Sequence, residues 1–207
     1  MPDTVVTEPP ASAPLVLGFD TSAAHCAAAL LHGNVLLAER FEERARGQAE
    51  RLFPLLEEIL DDAGLSWSDL DAIGVGVGPG NFTGIRIAVS AARGLALGLG
   101  IPAVGISGFD ARAVAGTLAA VPAPRAQVYA ALPGEAPRLM PDSEAQDCAR
   151  SAGLSFAPEA SPAGLAQRIA ELTSTRFSHS TEAPAPLYLR AADAAPARDL
   201  PPQLIDE

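Results

Sequence analysis

Hydrophobic positions run first in short unbroken blocks and then at helical intervals. LVLGFD, from Leu15 to Asp20, predicts a buried strand that ends on an acid, CAAALL from Cys26 predicts a second, and VLLAERFEE from Val35 a third. His32, Gly33 and Asn34 supply turn chemistry between the last two, Gly and Asn tolerating positive φ, so the strands form an antiparallel meander. From about Arg46 to Ala63, Leu52, Leu55, Leu56, Ile59 and Leu60 recur at helical spacing, with Glu50, Glu57, Glu58, Asp61 and Asp62 on other faces. Gly64 is a suitable stop, and Pro54 falls either inside this helix or in its first turn. Ser66 and Asp69 fit a small capping box around Trp67. AIGVGVG, from Ala72, predicts a buried strand whose alternate glycines let another backbone approach one sheet face. A helix rich in Ala and Gly follows from Ile85 to Leu99, then the strand IPAVGI, then a helix capped by Ser107 and running to about Ala120. The order is βββαβαβα.

Beyond Val121 the pattern is weaker. RAQVYAAL predicts a strand, Ser161 and Pro162 open a helix through AGLAQRIAEL, and PLYLR predicts a final strand. The chain divides into a disordered tail over residues 1–14, a first lobe over 15–120, and a reduced second lobe with a loose C-terminal tail over 121–207.

Composition narrows the function classes. A chain of 207 residues, 48% hydrophobic and only 5% aromatic, builds its core from Ala, Val, Leu and Ile. Its net charge of -11 opposes an unaided grip on a phosphate backbone, so nucleic acid is expected to be met weakly or through other proteins. Two cysteines, Cys26 and Cys148, make neither a disulfide framework nor a metal cage and suit a reduced, cytoplasmic setting. The opening MPDTVVTEPPASAP lacks a basic n-region and an apolar run, and the longest apolar segment, Gly94 to Gly108, contains Pro102 and is shorter than a bilayer span. No membrane span is expected.

The stretch GVGPGNFTGIRIA, residues 76–88, carries the candidate chemistry. It follows a strand and opens a helix, the context of an anion site: Thr83 can cap the helix, Phe82 and Ile87 can form a hydrophobic staple, and Arg86 adds a cation in the first turn. Gly80, Thr83, Gly84 and Arg86 are the candidate anion- or nucleotide-contacting residues. The loop lacks the lysine of a Walker A motif and misses the dinucleotide fingerprint by one residue. No Asp or Glu occurs between Asp71 and Asp110, so Asp20 is the obvious distant carboxylate. Two readings stay open: an anion site, vestigial or completed by a partner, or glycines that serve a tight turn and close packing. No His pair has metal-ligand spacing, Ser22 and Ser90 lack a nucleophile elbow, and Cys26 reads as a buried strand residue. No metal and no catalytic residue is expected.

LGFDTSAAHCAAALL, GQAERLFPLLEEILDDAGLSWSDLDAIGVGVGPGNFTGIRIAVSAARGLALGLGIPAVGIS and the late PLYLR together resemble the TsaB (YeaZ) family, the dimerisation subunit of the bacterial tRNA threonylcarbamoyladenosine (t6A) machinery. The likeness is close over about Leu15 to Gly108, and GPGNFTGIR is its most specific part. It implies an α/β actin-like ATPase domain (ASKHA, ribonuclease H-like) fold of two lobes, the second shortened. It also implies a noncatalytic role, supporting the catalytic subunit TsaD together with the ATPase TsaE, with homodimer formation when TsaD is absent. No cofactor is required; ATP or ADP could sit at a subunit interface. Where relatives carry Asp-Ala-Arg and Glu-Val-Tyr, PAPRAQVYAAL keeps Arg125, Val128 and Tyr129 without the acids, and Gln48 and Ala49 replace a His-Ser pair. Combined with the helical stripes, the resemblance places the partner interface on Leu52, Phe53, Leu56, Ile59, Ala88, Ala91 and Ala92, small residues letting helices meet closely. A stand-alone ATP-dependent small-molecule kinase or peptidase of the same fold is the alternative.

Overall fold

A computed structural model describes residues 13–156 and 162–189. Residues 1–12 of the tail expected over 1–14, the helix start expected at Ser161 and the segment after residue 189 lie outside the described residues.

Three strands, β1 (Leu15–Asp20), β2 (His25–His32) and β3 (Val35–Glu43), form the expected meander, with Gly33 at φ 61° in the turn. β4 (Ala72–Gly76) and β5 (Ala103–Ile106) add to it in parallel, giving a five-stranded sheet in the order β3-β2-β1-β4-β5. Helices α1 (Gln48–Asp62) and α2 (Phe82–Leu99) cover one face. Alternate residues of the strands meet them: Leu15, Leu17 and Phe19 of β1, Ala28 and Leu30 of β2, and Ile73 and Val75 of β4 pack with Leu52, Leu55, Leu56 and Ile59 of α1 and with Ile85, Ala88 and Ala92 of α2. Helix α5 (Pro162–Arg176), from the chain's C-terminal third, covers the other face, where Ala166 and Ala170 pack on Val16, Ala27, Ala29 and Leu31. With both faces covered, the central strands are apolar on both sides and show no polar alternation.

Glycine makes that second packing possible. A Cβ on Gly18 would lie 2.7 Å from the Ala166 carbonyl and the Ala170 amide, and one on Gly74 would overlap the Thr173 hydroxyl, so α5 rests almost on the strand backbone.

The capping box at Ser66 and Asp69 is present around a 3-10 turn over Trp67–Asp69. Pro54 lies inside α1; the amide it lacks would have bonded Glu50, which faces solvent. Other expectations are corrected. The helix opened by Ser107 is only α3 (Gly108–Arg112), because Val114 is exposed and Gly116 takes φ 76°, leaving nothing to hold a further turn against the core. PLYLR is not a strand: Pro184 and Pro186 have no amide to donate, and one backbone bond, Leu187 N–H to the Val77 carbonyl at 2.8 Å, ties the segment to β4. The region between α3 and α5 contains more than the single strand expected. β6 (Thr117–Leu118) pairs with β10 (Ser155–Phe156), while β7 (Ala120–Ala123), β8 (Gln127–Ala130) and β9 (Arg138–Pro141) form a second sheet. Helix α4 (Asp142–Ser151) packs its Ala145 and Ala149 against Val128, Ala130 and Met140.

Among the described residues α2 is the one helix whose 18-residue length and mean hydropathy of 1.3 would suit a bilayer span. Its apolar face is instead part of the core, and Arg86 and Arg93 lie on its exposed side.

Candidate functional site at the carboxyl ends of the parallel strands

β1, β4 and β5 point the same way, and the loops leaving their carboxyl ends meet there, where open α/β sheets place their sites. Asp20 closes β1 with its side chain turned inward, 2% exposed. Its Oδ1 accepts the Ser22 amide at 2.9 Å, the Ser22 hydroxyl at 2.9 Å and the His25 Nε2 proton at 2.8 Å. Burial pushes its pKa up, but the hydrogen bond and charge of His25 and the two bonds from Ser22 outweigh burial and hold the carboxyl below its ordinary value. Gly76 is required beneath it, since a Cβ there would overlap Oδ2. Both Ser22 and His25 bond the carboxylate and not each other, so the trio ties down a loop and does not activate a serine.

Gln48, the first residue of α1, is 8% exposed. Its Nε2 donates to the carbonyls of Thr21 (3.2 Å), Ala23 (2.6 Å) and His25 (2.8 Å), tying α1 to the β1–β2 loop. That loop in turn holds the glycine loop. The Asn81 amide donates to the Ser22 carbonyl at 2.6 Å and the Thr21 hydroxyl donates to the Gly84 carbonyl at 2.7 Å. A Cβ on Gly80 would overlap the Ser22 carbonyl and one on Gly84 the Thr21 carbonyl, so close packing accounts for both glycines.

Asn81, not Thr83, caps α2: its Oδ1 accepts the Gly84 amide at 2.9 Å, and Thr83 is exposed in the first turn. The cap two residues earlier removes the Phe82–Ile87 staple, because Phe82 becomes the first helical residue. Phe82 instead supports Arg86, whose guanidinium carbon lies 3.8 Å from the ring centroid. Arg112, from α3, is largely buried nearby; burial pushes its pKa down and the charge of Asp20 opposes the shift, while Nη1 donates to the Gly108 carbonyl at 3.1 Å. Cys26 is buried, and burial raises its thiol pKa, the opposite of what a nucleophile needs. Val128 and Tyr129 lie in β8, and Arg125 in the hairpin turn before it.

The expected interface residues are mostly interior. Leu52, Leu56, Ile59, Ala88 and Ala92 are fully buried and Ala91 nearly so, because the stripes that could have faced a partner face the sheet. Of that group Phe53 alone is surface, 43% exposed. The open side of the α1–α2 pair consists of Phe53 and Glu57 with Ser90, Arg93, Gly94 and Leu97, the last 86% exposed. Sequence reasoning missed the roles of Gln48 and His25. The Asp20–Ser22 spacing of an Asx-turn was the available signal for the loop; nothing local announced the bonds from Gln48, 23 to 27 residues away. Among the described residues no three His, Cys, Asp or Glu side chains are grouped to hold a metal ion.

Known proteins are similar to this chain in sequence and in fold. A family model described as TsaD, tRNA N6-adenosine threonylcarbamoyltransferase, matches residues 41–132. An uncharacterized protein of Mycobacterium tuberculosis is 40% identical over 119 residues, 55% of this chain and 56% of that protein. The tRNA threonylcarbamoyladenosine biosynthesis protein TsaB of Escherichia coli is 39% identical over 92 residues, 44% of this chain and 39% of that protein. The chain thus spans about half the length of the curated relatives it matches, or less. The structure of YeaZ from Pseudomonas aeruginosa aligns over 85% of this chain and all of its own, with TM-score 0.64 and 27% identity. The two-sided mixed sheet is that of the actin-like, ribonuclease H-like α/β fold, and in sequence and fold the chain is similar to the TsaB (YeaZ) proteins.

Proposed function

We propose that this chain is a noncatalytic partner subunit in tRNA N6-threonylcarbamoyladenosine biosynthesis, binding and supporting the catalytic subunit TsaD together with the ATPase TsaE. The observation that carries it is the likeness to proteins named for that biosynthesis, with the TsaD family model matching the segment that holds α1, the glycine loop and α2. Related copies can meet by equivalent faces, which also allows a homodimer when TsaD is absent. The proposed face is the open side of α1 and α2, where Phe53 and Leu97 are exposed, Gly94 allows close approach and Arg93 is available to an acidic group. With a net charge of -11 the chain leaves the grip on tRNA mainly to its partners. The proposed setting is cytoplasmic.

No cofactor is required. The Thr21 and Ser22 carbonyls abut the start of α2, and any ATP or ADP is held at a subunit interface beside Gly80 and Thr83. The test is mass spectrometry of tRNA nucleosides from cells depleted of this protein. Threonylcarbamoyladenosine should fall and return with the wild-type chain. An unchanged level after confirmed depletion refutes the role, and ATP turnover or peptide cleavage by the purified chain alone would replace it with the stand-alone enzyme.

A further inference from the structure

Residues 182–189 cross back over the carboxyl ends of β4 and β5 in a seat built by two glycines. A Cβ on Gly105 would lie 3.3 Å from Pro184 Cβ, and one on Gly78 would lie 3.1 Å from the Leu187 carbonyl. Leu187 bonds the Val77 carbonyl through its amide and packs its side chain against both the main core and the Phe109, Val121 and Tyr129 group. The segment ends on the first turn of α2. There the Tyr188 hydroxyl accepts the Arg86 Nε proton at 2.8 Å, and the Phe82 and Tyr188 rings lie 4.8 Å apart, tilted by 30°. Arg86 is therefore held by one ring beneath it and a hydroxyl beside it, although it is exposed.

Its charge, by contrast, has no carboxylate partner among the described residues. Seven other arginines lie within ion-pair distance of a carboxylate. Arg46, Arg86, Arg93, Arg112 and Arg125 have none among the described residues, and of these Arg86 and Arg93 share the exposed side of α2, in a stretch with no acid between Asp71 and Asp110. In a protein of net charge -11, the exposed side of α2 is thus a cationic stripe. A free arginine loses rotamer freedom when it pairs with an incoming group; one already clamped does not lose it again, and its terminal N–H fork still suits a carboxylate.

We propose that the 182–189 segment is a strap whose Tyr188 is a positioning residue: acting through Arg86, it presets a cation for a carboxylate on the docking face of a partner protein. The inference rests on the partner-subunit role proposed above. The test is titration of the full-length chain with purified TsaD. Tyr188→Phe keeps the ring stack and removes the acceptor, and should weaken binding about 3- to 10-fold. Arg86→Ala should weaken it at least as much, and the double variant no further than Arg86→Ala alone, the non-additivity expected when one residue acts through the other. The Arg86 Nε–H signal in nitrogen-15 NMR, protected in the wild type, should lose protection in Tyr188→Phe while the melting temperature stays unchanged. Wild-type affinity in Tyr188→Phe, or additive losses in the double variant, overturns the strap's role and leaves the subunit role standing. A wild-type chain that does not bind TsaD overturns both.

Discussion

Replacing Gln48 with Leu removes the one side chain that ties α1 to the β1–β2 loop. The Ala23 carbonyl would keep the His25 amide at 2.8 Å, but the carbonyls of Thr21 and His25 would lose the side-chain donor that meets them at 3.2 and 2.8 Å. A buried acceptor left without a partner costs about 1–3 kcal/mol, and the rim of the loop can admit some water, so a loss of about 3 kcal/mol is expected. For a domain of this size that is a fall in melting temperature of roughly 6–12 °C. Calorimetry, with urea denaturation to confirm an unchanged m value, measures it. Gln48→Glu supplies the sign check. Its carboxyl, when protonated, can donate one hydrogen bond to these carbonyls, whereas the ionised form is repelled by all three. The folded-state pKa therefore lies above the unfolded one, and the variant's deficit should narrow as the pH falls toward and below the folded value. A Gln48→Leu protein melting within about 2 °C of wild type, or a Gln48→Glu deficit that widens in acid, would refute the tie.

Two other perturbations probe the packing and the buried carboxylate. Gly18→Ala should destabilise by about 1–3 kcal/mol or more, because its Cβ meets the α5 backbone at 2.7 Å, whereas Gly94→Ala, with nothing within 4 Å, should stabilise α2 by about 0.5–1 kcal/mol; urea midpoints distinguish the two. Asp20 is held below its ordinary pKa by His25 and Ser22, so its contribution to stability is present above about pH 4, the unfolded value, and is lost as the pH falls through the lower folded value. Asp20→Asn should accordingly be less stable at neutral pH and show a flatter acid limb in urea midpoints; a limb as steep as the wild type's would assign acid sensitivity elsewhere.

The first hundred residues were legible because their signals are local. Apolar blocks, the Gly33–Asn34 turn and the 52-55-56-59 stripe each depend on near neighbours, so strands β1 to β5 and helices α1 and α2 follow from the chain itself. The region after Val121 was not, since its short strands of two to four residues are stabilised by cross-strand pairing and by α4, which carries few apolar positions of its own. Which side of a helix faces the sheet also escaped prediction. A stripe of Leu or Ala announces burial without saying against what, and the residues assigned to a partner proved to be occupied by the sheet.

The sequence by itself determined the alternation of elements, the glycines that permit close approach, the acidic balance and the family likeness, all of which are properties of composition and short-range order. Tertiary structure alone decided that Asp20 bonds Ser22 and His25, that Gln48 closes the loop above them, that α5 returns from the far end of the chain to cover Gly18 and Gly74, and that Tyr188 meets Arg86 across 102 residues. Such contacts depend on where the backbone returns in space, which is set by the sum of many packing interactions and by no local pattern.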